Sequence, residues 1–142
     1  MKFMRKAALI AGTVALVTGA GATSASAGQL TPTATFSGGG CTASVYLNAP
    51  NWGSINAGAG GACARTVPGY PKLTLAISRN GVQIFNQTAT MGWNGSQYGT
   101  LLASAGYWWW GPKGTRWQAC AISSNSNGVW LAGGCSPVWV AP

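Results

Sequence analysis

The chain has 142 residues, 47% of them hydrophobic and only 6% charged, and every charged side chain is a lysine or arginine: eight cations, with no aspartate, glutamate or histidine. General acid–base catalysis near neutral pH rests mostly on the three missing types, so hydrolytic triads and paired-carboxylate glycosidase sites are excluded. Only a Ser–Lys arrangement using Lys72 or Lys113 stays formally open, and metal sites lose their imidazole and carboxylate ligands, so the expectation is a non-enzymatic protein without a cofactor.

The N-terminus carries Lys2, Arg5 and Lys6, then an apolar, glycine-interrupted stretch from Ala7 to Ala20, then Ala25-Ser26-Ala27. A basic start, a short apolar run and a small-residue A-x-A site read as a secretory signal peptide over residues 1–27. The expected protein is therefore secreted and extracellular, with no membrane span in the mature chain. Removing 27 of 142 residues leaves 115, enough for one small domain, and five cations: Arg65, Lys72, Arg79, Lys113 and Arg116. A positive surface with no anions attracts polyanions such as cell-wall polymers. Five scattered cations form no basic groove, and export argues against nucleic acid as a partner.

The mature N-terminus, GQLTPTATFSGGG, alternates threonines with small residues and ends in three glycines. It reads as an extended tail with a glycine linker over residues 28–40, ahead of a domain at 41–142. Such a tail is suited to adding a strand to another protein's sheet edge, with Leu30 and Phe36 as anchors. A frayed end or a first strand of the protein's own sheet is the competing expectation.

From Cys41 onward the pattern is β. Thr42 to Ala49 is a strand, and Cys41 and Cys63 flank the turn-rich NAPNWGSIN, as the ends of a hairpin would. LTLAISRNGVQIF centres on Asn80-Gly81, the strongest two-residue hairpin signal, and a two-residue loop there sets Ile77 opposite Ile84 and Arg79 opposite Val82. Leu73, Leu75, Ile77, Val82 and Ile84 then share one face, expected to point to the core. Tyr98 to Ser104, Thr115 to Ser123 and Val129 to Val140 complete the strands.

Four cysteines in an exported chain read as two disulfides, with three connectivities open. A hairpin closed at Asn127-Gly128 pairs residues whose numbers sum to 255, as those of Cys120 and Cys135 do. That count puts the two cysteines at a hydrogen-bonded pair, the wider of the two alternating types, and Gly133-Gly134 could supply a correcting bulge. Local pairing, Cys41 with Cys63 and Cys120 with Cys135, is favoured over a long-range Cys63–Cys120 bridge.

Between the strands lies AGYWWWGPKGTRW, with Tyr107, Trp108, Trp109 and Trp110 side by side and Lys113 and Arg116 just beyond. On a strand, Tyr107 and Trp109 share one face and Trp108 and Trp110 the other. One face meets a core, so Trp109 or Trp110 is expected to face solvent. The run is then either a binding surface, completed by Lys113 and Arg116, or a plug for a small core.

Short strands separated by turns predict an all-β fold, a small antiparallel immunoglobulin-like β-sandwich with two disulfides. The LxLxISRNGVQIF hairpin and the late WQACAIS strand resemble the small exported immunoglobulin-like proteins of actinobacteria over roughly Cys41 to Val140. The chain departs from true immunoglobulin domains in having no tryptophan about a dozen residues after Cys63, and Trp117 where a tyrosine corner would be sought. In general make-up the chain is also similar to the small adaptor subunits of secreted umbrella-shaped toxin particles. That likeness implies a protein-bridging role in a toxin complex, with another secreted protein or complex subunit as partner. The other functional expectations are a carbohydrate or anionic cell-wall polymer binding protein with antibacterial effect, and a secreted enzyme inhibitor.

Overall fold

The computed structural model describes residues 28–30, 34–104 and 106–142. The expected signal peptide, 1–27, lies outside the described residues, and so does the side chain of Leu30. Among the described residues the chain forms twelve strands: β1 (Gly28–Leu30), β2 (Ala34–Gly38), β3 (Cys41–Pro50), β4 (Ser54–Ala64), β5 (Lys72–Arg79), β6 (Val82–Thr90), β7 (Gly92–Trp93), β8 (Gln97–Ala103), β9 (Trp108–Trp109), β10 (Arg116–Ser124), β11 (Trp130–Cys135) and β12 (Trp139–Val140). None of the described residues is helical, and no helix among them is long and apolar enough to cross a membrane.

The strands form two antiparallel sheets. One has the order β1-β3-β4-β8-β7, with β2 also on β3 and β9 also on β4; the other has the order β11-β10-β5-β6, with β12 also on β10. β1 and β2 run along successive parts of β3, β8 and β9 along β4, and β11 and β12 along β10. The break between β11 and β12 falls at Ser136-Pro137-Val138, where proline has no N–H for the ladder. The expected strand over 129–140 is therefore two.

Alternation places the core between the sheets. Cys41, Ala43, Val45, Leu47 and Ala49 on β3 face Leu73, Leu75 and Ile77 on β5 and Trp117, Ala119 and Ala121 on β10, all buried. Ser123 is buried in the same row and donates its hydroxyl across the sheets to the Thr42 carbonyl, 2.7 Å, so its burial leaves no orphan group.

Both local bridges are present. Cys41 pairs with Cys63 in the β3–β4 ladder and Cys120 with Cys135 in the β10–β11 ladder. The two differ in setting: Cys41 and Cys63 face the core and are buried, whereas Cys135 is exposed on the outer face of its sheet. The β10–β11 turn is not the expected two-residue type. Asn125 accepts the Asn127 and Val129 amides on its side-chain oxygen, and its own N–H bonds the Val129 carbonyl. The ladder then slips by one residue between Ser123 and Ser124, with Leu131 left over, so the bulge falls there rather than at Gly133-Gly134. That slip changes the parity of every later pair. It brings the Cys120 and Cys135 Cα atoms to 3.9 Å, the close alternative to the wide pair a two-residue loop would give.

Asn80-Gly81 closes its hairpin as expected, with both residues at positive φ and Arg79 opposite Val82. One step on, Ile84 is extruded as a bulge, so Ile77 faces Phe85 instead of Ile84, and Val82, at the hairpin tip, is 65% exposed rather than in the core.

The N-terminal segment is a strand of this protein's own sheet and not a free tail. β2 pairs with β3 from Ala34↔Val45 to Gly38↔Cys41. Gly39 and Gly40 are no linker: both have positive φ, 57° and 80°, as a tight primed turn between β2 and β3 requires. Phe36 packs on the core and lies over Gly134 of β11, where a Cβ would collide with its ring. Phe36 is half-buried in this way on its own domain, so it is not an anchor on a free tail.

The connections also depart from the immunoglobulin order. The β1/β2, β3 and β4 lanes lie side by side in one sheet, whereas an immunoglobulin domain sends its third strand to the opposite sheet, and both bridges here join neighbours within a sheet.

Candidate functional site

The tryptophan run lies at one end of the sandwich, beside the start of β4. Trp109 pairs with Ser54 and Trp108 with Ile55, which is fully buried. Residues opposite each other on a ladder share a face, so Trp108 turns inward and Trp109 outward. Trp108 sits edge-on to Phe85, 5.7 Å between ring centroids, and 6.3 Å from Trp117. Trp110 is half-buried against Trp139 at 5.2 Å and donates its indole N–H to the Ser54 carbonyl, 2.8 Å. Its own carbonyl accepts the indole N–H of Trp117, 2.8 Å. Three indoles thus close the end of the core, and those of Trp110 and Trp117 have their N–H groups bonded.

The alternate face stays in solvent. Tyr107 is 51% and Trp109 69% exposed. Trp52, in the β3–β4 turn, is 59% exposed and meets Tyr107 edge-on at 4.7 Å. Of the expected aromatic set, then, Tyr107 and Trp109 reach the surface while Trp108 and Trp110 belong to the core. Trp52 joins the surface from a turn far away in sequence. Its only sequence signal is a large indole at a turn tip, where no strand face is available to bury it.

Lys113 and Arg116 are exposed at the same end. Lys113 rides a turn tied at both sides: Thr115 bonds the Pro112 carbonyl through N–H and hydroxyl, and the Gly114 N–H reaches the Ala141 carbonyl. The Arg116 N–H donates to the Asn80 side chain, 2.9 Å, and its carbonyl accepts the Asn80 N–H, 2.7 Å, which fixes the β5–β6 hairpin tip beside β10. Arg79 at that tip holds its guanidinium 5.8 Å from the Trp117 ring centre. Exposed aromatics and three cations therefore share one end of the molecule. With no aspartate or glutamate in the sequence, no acidic side chain neutralises them.

A second exposed group, which the residue pattern did not single out, lies at the other end of β4. Tyr98, opposite Cys63, is flanked edge-on by Tyr70 at 5.5 Å and Trp93 at 5.0 Å, with Arg65 exposed nearby in sequence. Phe36 and Leu30, the expected tail anchors, belong to neither group. Neither a protein-family model nor a curated protein matches this chain.

Proposed function

We propose that the chain is an exported, non-enzymatic adaptor that grips another secreted protein through Trp52, Tyr107 and Trp109. The observation that carries this reading is that all three rings keep more than half their surface in water, with Trp52 and Tyr107 in edge-on contact at 4.7 Å and Trp109 two residues on from Tyr107. Large exposed rings backed by a fixed scaffold and flanked by arginine are what interface hot spots are made of. The A-x-A leader and two disulfides support an oxidising, extracellular setting. The likeness to exported immunoglobulin-like proteins rests on the LxLxISRNGVQIF hairpin and the WQACAIS strand. The likeness to umbrella-particle adaptors makes a secreted toxin complex the natural context, with catalysis left to another chain.

The test is affinity capture from spent culture medium with the wild type and Trp109→Ala. A stoichiometric protein partner, recovered by the wild type and lost by the variant, is the expected outcome. A second reading, binding to an anionic cell-wall polymer, is favoured by the three cations with no anion to offset them. It predicts co-sedimentation with purified walls that salt abolishes; capture of no protein together with such sedimentation would replace the first reading.

A further inference from the structure

The sheet edges are unequal. β1 and β2 meet β3 in registers that differ by one residue, Leu30↔Asn48 against Ala34↔Val45, β11/β12 breaks at Pro137, and the outer side of β8 is covered at its start by β7. β6 is different. It is the last strand of its sheet, runs nine residues from Val82 to Thr90, and carries no proline, glycine or charge. Apart from the bulge at Ile84 it has none of the devices that usually blunt an edge, and Val82, Gln83, Asn86, Gln87, Thr88 and Thr90 are all exposed.

We propose that β6 receives an added strand from an acidic, extended segment of a partner protein. Charge selects the occupant. Lys72 and Arg79 lie on the adjoining β5, opposite Thr90 and Val82, so each end of β6 has a cation one strand in, roughly 24 Å apart along the strand, with the Arg79 guanidinium 5.8 Å from the Trp117 ring centre. A second copy pairing antiparallel through β6 would bring Arg79 of one chain toward Lys72 of the other, with no carboxylate to separate them. An acidic segment meets attraction at both ends. Main-chain bonds to β6 would supply affinity, and carboxylates at the two ends would fix register and direction. This surface uses main-chain edge rather than rings, and its Val82 end meets the end that carries the exposed rings, where Trp108 against Phe85 sets β9 close to β6. One partner could therefore span both.

The experiment titrates the ¹⁵N-labelled protein with a synthetic peptide of alternating threonine and valine carrying an aspartate at each end. The expected result is slowed amide exchange and shifted resonances along 82–90. A lysine-ended analogue should not bind, and the Lys72→Gln/Arg79→Gln variant should bind the acidic peptide roughly tenfold more weakly. Neighbouring amides point to opposite sides of a strand, so one of Asn86→Pro and Gln87→Pro removes only an outward N–H. That variant should fold and lose the peptide. Equal binding of both peptides, or shifts confined to Trp52, Tyr107 and Trp109, would overturn the proposal. So would concentration-dependent protection of β6 without peptide, which would make the occupant a second copy.

Discussion

Trp108 and Trp109 are adjacent in sequence and opposite in setting, which makes a sharp comparison. Trp109 is 69% exposed, so replacing it with alanine uncovers at most about a third of a side chain of ~250 Å². At about 25 cal/mol per Å² that is ~2 kcal/mol, and nearer 1 kcal/mol once burial already present in the unfolded chain is discounted. Trp108→Ala removes a half-buried ring wedged between Phe85 and Trp117 and leaves a cavity at the end of the core, costing roughly 3 kcal/mol. For a domain of this size about 1 kcal/mol moves Tm by ~5 °C, so the expected losses are about 5 °C for Trp109→Ala and about 15 °C for Trp108→Ala. Near-ultraviolet circular dichroism during a thermal ramp measures both. Equal losses, or the larger one at Trp109, would refute the face assignment on which the exposed-ring site depends.

Mild reductant under native conditions should open Cys120–Cys135 before Cys41–Cys63, because Cys135 is exposed and Cys41 and Cys63 are buried; alkylation followed by peptide mass mapping shows the order, and simultaneous labelling would contradict it. Phe36→Ala should cost about 2 kcal/mol, seen as a lower urea midpoint, because the ring packs on the core over Gly134; a wild-type midpoint would return residues 34–38 to the status of a loose tail. Stability should be flat from about pH 4 to 9. The side chains that titrate there are Asp, Glu, His and free Cys; the first three are absent and the cysteines are paired, so folded and unfolded chains bind equal numbers of protons and the slope is zero, the α-amino group aside. Urea titrations at several pH values check this, and a steep change near pH 5 would mean that a bound group contributes to the fold.

What was legible in the residues was whatever a turn or an alternation fixes locally. Asn80-Gly81 closes its hairpin because a primed turn needs positive φ at both positions, and the Tyr107–Trp110 faces follow from strand geometry alone. Gly39-Gly40 has the same requirement, but two glycines at a turn and two glycines in a linker look alike in sequence. What separates them is Phe36 lying over Gly134, a contact between residues almost a hundred positions apart. The bulges at Ile84 and Leu131 escaped for a related reason. Each shifts a ladder by one residue, and no local signal marks it. Trp52 reached the site only through the fold, by the turn that carries it past Tyr107.

The two bridges close loops with sequence separations of only 22 and 15 residues. Any other pairing of the four cysteines needs two loops, each more than twice as long as the longer native one. Chain-closure entropy alone then favours the native connectivity by roughly 2 kcal/mol before any tertiary contact forms. A chain oxidising from the unfolded state thus meets its correct partners first, hairpin by hairpin. It needs little thiol shuffling to mature, and each bridged hairpin arrives as a preassembled piece for the long-range pairings β4–β8 and β5–β10 to join.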